Sequence, residues 1–257
     1  MNFEINDALI PGTKLLRAEM GNVTGLEFLS KVFYISDGVM LSQIREVSGI
    51  DGSTLQNWTK RGWVANAKLK KYNIDQVAHI LIINMLRSCM QLDKIAFLVS
   101  YINGRIYDES DDIIRDSQLY DYICRILDKL MKAGEISPDG TTLKETIEKT
   151  TSDYVEKVTG ARMRLNTALE IIIIAYYASI IKSYSDDMVD KLMIAGEISP
   201  AGTTLKETIE KTTSGYEEKV SGARRRLNTA LEIIIIAYYA SIIKSHSDTM
   251  VDNLMHS

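Results

Sequence analysis

Sixty-two residues of this chain occur twice. Residues 131–192 recur at 193–254 with only nine differences, among them Asp139 against Ala201, Val155 against Glu217, Met163 against Arg225 and Tyr184 against His246. Solenoid repeats diverge until only their structural positions match, so near-identity over a whole unit marks a recent duplication. The second copy is then expected to be structurally redundant.

Each unit reads as helical. Ser137, Pro138, Asp139 and Gly140 form a breaker, and Thr142 with Glu145 three positions later has the capping-box pattern of a helix start. Ile147 and, seven residues on, Tyr154, then Val158, Ala161, Leu165, Ala168, Ile172 and Ala175 in steps of three and four, predict one continuous apolar stripe. Gly160 is the place for a kink or division, since glycine costs a helix interior about 1 kcal/mol against alanine. From Leu169 to Ile181 the helix is apolar on every side except at Glu170, and Leu231–Ile243 repeats the run. The uncharged core Ile171–Ile181 covers eleven residues. That falls short of the roughly 20 needed to cross a bilayer, so burial in a core or dimer interface is expected rather than a membrane. Through these Ile-rich helices the chain is expected to form a homodimer, or an internal pseudo-dimer of its two copies.

Only three prolines interrupt the chain, strand-like alternation is scarce, and 46% of the residues are apolar. A mainly α, globular fold follows. The boundaries suggested are an N-terminal extension (1–38), a first module (39–102), a connecting helix (103–130) and the two repeats (131–192 and 193–254). Thr24–Phe33 suits a short helix within the extension, and Asp111–Met131 an amphipathic one with Ile113, Ile114, Leu119, Tyr122, Ile123, Ile126 and Leu127 inward. Cys89 and Cys124 lie far apart in apolar surroundings and suit buried free thiols in a reducing cytoplasm. The N-terminus lacks the basic and apolar pattern of a signal peptide, which gives a cytoplasmic expectation.

Charge is unevenly spread. Val39–Met90 holds seven basic residues (Arg45, Lys60, Arg61, Lys68, Lys70, Lys71, Arg87) against three acidic ones (Glu46, Asp51, Asp75), a surplus of four in a chain whose net charge is −4. A basic module on an acidic chain is the footprint of a nucleic-acid reader. In the same stretch, Leu41, Ile44 and Val47 space as a short helix ended by Gly49, and Ile50–Ser53 makes a tight turn where Asp51 or Ser53 can cap the next helix. Thr54 to Arg61 forms that helix, which stops at Gly62. Two short helices joined in this way make a helix-turn-helix.

The second helix offers Ser53, Thr54, Gln56, Asn57, Lys60 and Arg61 to base edges or phosphates, while Leu55 and Trp58 turn back onto the first. Ala65–Lys71 fits a wing that lays Lys68, Lys70 and Lys71 along a phosphate backbone. Helices near Ile74–Leu86 and Leu92–Ile102 follow. Trp58 and Trp63 suit packing better than base stacking, His79, His246 and His256 show no convergent partners, and Tyr176 with Tyr177 suits a core or interface.

The order helix, turn, Thr54-Leu55, Trp58, Lys60-Arg61-Gly62, wing, Tyr72, Asp75 and then a helix with Arg87 and Met90–Asp93 resembles the MerR-type winged helix. The wording Gly49–Trp58 with Ile82–Arg87 is closer to an uncharacterised domain-of-unknown-function family of Gram-positive bacteria that is itself MerR-like. The resemblance spans roughly residues 30–190. It implies a MerR-like winged helix-turn-helix followed by an all-helical tail, with each module of a homodimer reading one half-site of double-stranded DNA and the tail sensing an effector. Two departures are visible: Gln56 stands where MerR proteins usually carry arginine, and the tail has no cysteine cluster for a thiolate sensor. No P-loop, dinucleotide turn, metal-ligand spacing or nucleophile elbow occurs in the sequence, so neither an enzyme nor a cofactor is expected. The expectation is a DNA-binding transcription regulator, with a protein-interaction adaptor built on the same fold as the alternative.

Overall fold

The computed structural model describes residues 9–21, 23–33, 38–104, 112–133, 141–195, 203–215 and 222–256. The expected breaker at 137–140 and the expected helix start at Asp111 lie outside them. The protein is mainly helical. Ten helices and two short strands occur among the described residues.

After a single 3-10 turn at Ala18–Met20, α1 spans Gly25–Phe33, close to the helix expected there. Next come β1 (Val39–Met40), α2 (Leu41–Ser48), α3 (Gly52–Lys60) and β2 (Lys71–Tyr72). The two strands pair antiparallel, Val39 opposite Tyr72 and Met40 opposite Lys71. The first of them is not legible in the sequence, because two residues are too few to show alternation. Helices α4 (Ile74–Leu86) and α5 (Leu92–Asn103) follow as their apolar spacing predicts. Helix α4 opens with a reciprocal cap in which the Gln76 amide N–H donates to Asn73 Oδ1 and the Asn73 N–H donates to Gln76 Oε1.

Helix α6 (Asp116–Ala133) is the hub, packing on α1, α4, α7 and α8. Ile113 and Ile114 are buried as expected, but they precede the helix rather than belong to it. The stretch read as an N-terminal extension is tied into this core. The Tyr120 hydroxyl donates to Pro11 O at 2.7 Å, and the Asn84 side chain donates to Gly12 O and Ser48 O at 2.8 and 3.0 Å. Gly12, at φ 75°, lets its backbone press against Leu81 O, where a Cβ would sit 2.2 Å away.

The first repeat copy gives α7 (Thr141–Thr150) and α8 (Ala161–Ala195), and the second gives α9 (Thr203–Thr212) and α10 (Ala223–Met255). Thr142 lies inside α7 rather than at its cap, the usual slip of a residue or so at a helix end. The apolar stripe is not continuous, and the division falls at Gly160, the place read for it. Gly160 adopts φ 85°, residues 151–160 leave the helix, and Val155 and Val158 face solvent. Tyr154 turns inward and donates its hydroxyl to Ile113 O at 3.0 Å.

Both copies close their hairpin with the same bond. Thr151 Oγ1 donates to Asn166 Oδ1, as Thr213 Oγ1 does to Asn228 Oδ1. Helix α8 packs against α4, α5, α6, α7 and α10. The two long helices run antiparallel: Glu232, early in α10, bears electrostatically on Tyr184, late in α8. Lys244 and Asp248, late in α10, act on Cys89, whose thiol donates to Ala175 O of α8.

Burial of the Ile-rich run, expected in a core or dimer interface in both copies, is nearly complete in α8 and partial in α10. Read over their whole lengths, α8 and α10 each contain a window apolar enough to cross a bilayer, which the eleven-residue core alone did not suggest. The window in α8 is mostly buried inside the protein, as in the core helix of a soluble domain. Cys89 and Cys124 are free and buried, and burial pushes both thiols up to about 12.

Candidate nucleic-acid interface

Helices α2 and α3 meet at a turn fixed by small devices. Gly49 takes φ 70° and closes α2 with its N–H on Arg45 O, which is why the helix stops where the glycine stands. Ser48 Oγ donates to Ile44 O and accepts the Ile50 N–H, locking the corner from inside. Asp51 occupies the N-cap position of α3, yet makes no capping bond. Its carboxylate instead accepts the Ser53 hydroxyl, and that bond holds the Asp51 pKa below its ordinary value.

Across α3 the two faces separate cleanly. Leu55 and Trp58 are each 1% exposed, while Ser53, Gln56, Asn57, Lys60 and Arg61 face solvent and Thr54 is half-buried. Arg61 follows the last helical residue and stacks its guanidinium over Trp63, 4.9 Å from the ring centroid. On the far side Arg87 lies 5.8 Å over the Trp58 ring. The tryptophans thus act as packing surfaces for arginines, in keeping with the packing role read for them.

The chain then forms a tight hairpin. Lys68 and Lys71 exchange both backbone hydrogen bonds at 2.9 Å, leaving Leu69 and Lys70 as a two-residue tip. Both tip residues have positive φ, 51° and 64°, and Leu69 is 97% exposed. Buried Val64 and Tyr72 anchor the base, and the Gln76 side chain donates to Asn66 O at 3.0 Å. Lys68, Lys70 and Lys71 are all exposed around the tip.

Two basic residues on this side, Arg45 and Lys14, were given no contact from the sequence. Arg45 lies over the start of α3, its side chain lining the space beside Gly52, and its charge contributes to lowering the Asp51 pKa. Lys14 reaches the same corner because its N–H donates to Val47 O. With Ser42, Glu46, Gly49, Ile50 and Asp51 they line a shallow depression at the corner. Lys14 is distant in sequence, and only the tethering of residues 9–15 brings it here.

His79 also departs from the sequence reading, which gave it no partners. Buried in α4, its Nδ1 lies 2.9 Å from Asp116 Oδ2 and its Nε2 2.8 Å from Trp63 O. Both acceptors call for a ring N–H, which is the imidazolium form. Burial opposes the charge, but the Asp116 carboxylate and the two hydrogen bonds outweigh it and raise the pKa above 6.5. His79 therefore joins the end of the α3 corner to the hub helix α6. Among the described residues no three His, Cys, Asp or Glu side chains gather as a metal site.

Residues 27–123 match DUF1836, a domain of unknown function. The DUF1836 match runs from within α1 into α6. It covers the α2–α3 corner, the lysine hairpin and His79, and it ends well before the residue 190 suggested by resemblance. Over 117 residues the chain is 28% identical to the uncharacterised protein YkrK of Bacillus subtilis (strain 168), which takes in 44% of this chain and 50% of that protein. The chain thus spans half the length of that relative. No solved structure matches.

Proposed function

We propose that this chain is a non-enzymatic, DNA-binding transcription regulator of the MerR-like type, with α3 entering the major groove and the lysine hairpin lying along the backbone. What supports the reading most is the one-sided chemistry of α3. Hydrogen-bonding side chains at 53, 56, 57, 60 and 61 face solvent together, with Leu55 and Trp58 sealed beneath them. Gln56 and Asn57 suit bidentate reading of adenine, and Lys60 and Arg61 suit phosphate or guanine. Lys68, Lys70 and Lys71, with Arg45 and Lys14 at the corner, supply further phosphate contacts that fix orientation without reading sequence.

The test is duplex selection with the purified chain, followed by a salt titration on the selected sequence. Each phosphate contact contributes about 0.9 to the slope of log affinity against log salt. The Lys60→Ala, Arg61→Ala double variant is expected to lower that slope by nearly two units. An unchanged slope removes α3 from the interface. A chain that selects no duplex, yet holds a stable protein complex in a pull-down, belongs instead to the adaptor reading.

A further inference from the structure

The two long helices form an internal control. From Leu169 to Ile181 and from Leu231 to Ile243 the sequences are identical, so any difference in burial comes from surroundings. Ile172 and Tyr176 in α8 are 0% and 9% exposed, whereas their counterparts Ile234 and Tyr238 in α10 are 62% and 64% exposed. Tyr239 and Ile242 continue the exposed stripe, and Ala230 and Ala237 lie between the large residues. In α8 this face is covered by α4, α5 and α6, and Arg164 donates to Tyr101 O and Ile102 O at the end of α5. Its counterpart Arg226 is exposed. The first copy fills the one cradle that the N-terminal helices build, so the same face of the second copy is left uncovered by the described chain.

We infer that the outer stripe of α10 is a homodimer interface, on which a second copy of this chain lays its own α10 across a two-fold axis. Charge permits this pairing. Between Arg226 and Lys244 the only ionisable side chain besides the two tyrosines is Glu232, which is buried away from the stripe. The stripe can therefore meet itself without like charges opposed. An antiparallel pairing centred near residue 236 sets small Ala230 opposite Ile242 and brings the two most exposed large side chains of the stripe, Ile234 and Tyr238, against each other.

Area is sufficient. With an aromatic side chain burying about 150–250 Å², the exposed fractions amount to roughly 500 Å² of apolar surface per chain. The two-fold doubles this to about 1,000 Å², the lower bound for a specific interface. A patch of this size is at the upper end of what a monomer exposes, and such patches are often functional. This inference stands on burial and sequence identity and is independent of whether the chain reads DNA.

Light scattering on the full chain at about 50 µM tests it, with the Ile234→Asp, Tyr238→Asp variant alongside. The expected mass is twice 28.9 kDa for the natural chain and 28.9 kDa for the variant. Because both positions are exposed, the variant should keep its far-ultraviolet circular dichroism, and that spectrum separates lost pairing from lost folding. A natural chain that stays monomeric overturns the inference, as does a variant that stays dimeric. Flotation of a monomeric chain with phosphatidylglycerol vesicles would assign the stripe to a lipid surface instead.

Discussion

His79 can be judged by its two acceptors. Its Nδ1 and Nε2 face a carboxylate and a carbonyl, so the folded protein favours the charged ring and its pKa lies above the unfolded value. Stability from this group is complete below about pH 6.5 and is lost as the pH rises through the folded pKa. Thermal melts are expected to show a lower midpoint at pH 8.5 than at pH 6. Asp116→Asn should flatten that dependence and cost about 1–3 kcal/mol at pH 6, because the imidazolium loses its anion. Leu69 and Lys70 provide a second check. Each occupies a left-handed conformation that costs an ordinary side chain about 1 kcal/mol. A Leu69→Asn, Lys70→Gly tip suits a two-residue hairpin, so chemical denaturation should find that variant more stable. If the tip touches a nucleic-acid backbone, the same variant should bind it more weakly, with stability and binding moving in opposite directions.

For helices, the 3.6-residue period made α2 through α6 legible, because glycines at 49 and 62 and the apolar spacing in α4 and α5 act within one turn. The first strand and the approach of Lys14 to the corner were not legible, since both depend on pairings far apart in the chain. Nor could periodicity say that two identical helices would differ in burial. That difference gives a paired prediction. Ile172→Ala should cost about 2–5 kcal/mol, as for a closely packed core residue, and Ile234→Ala less than about 0.5 kcal/mol in the monomer. Equal costs in dilute urea melts would mean that the two copies share one environment. Asp153 marks a further asymmetry. It accepts the Tyr122 hydroxyl at 2.9 Å and faces Arg125, clasping the first copy to α6, and the second copy has Gly215 in its place.

Across the whole molecule, these differences imply a gradient of stability. The first copy shares a core with α4, α5 and α6, while α9 and α10 are held mainly through α8 and by Lys94 reaching Asp252 at 2.9 Å. Native-state hydrogen exchange should therefore open 223–243 before 161–181, although the sequences nearly coincide. Exchange in the reverse order would place the second copy at the centre of the fold. The candidate reading surface belongs to the slow end of this gradient, because Trp58, Leu55 and Ile44 share the core of α4.

Its two tryptophans have a practical consequence. They are the only ones in the chain, and each carries an arginine on its ring, Arg61 over Trp63 and Arg87 over Trp58. The protein thus comes with its own optical reporter at the surface in question. A ligand that draws the Arg61 guanidinium away should shift the fluorescence of Trp63, with no dye attached and no residue changed.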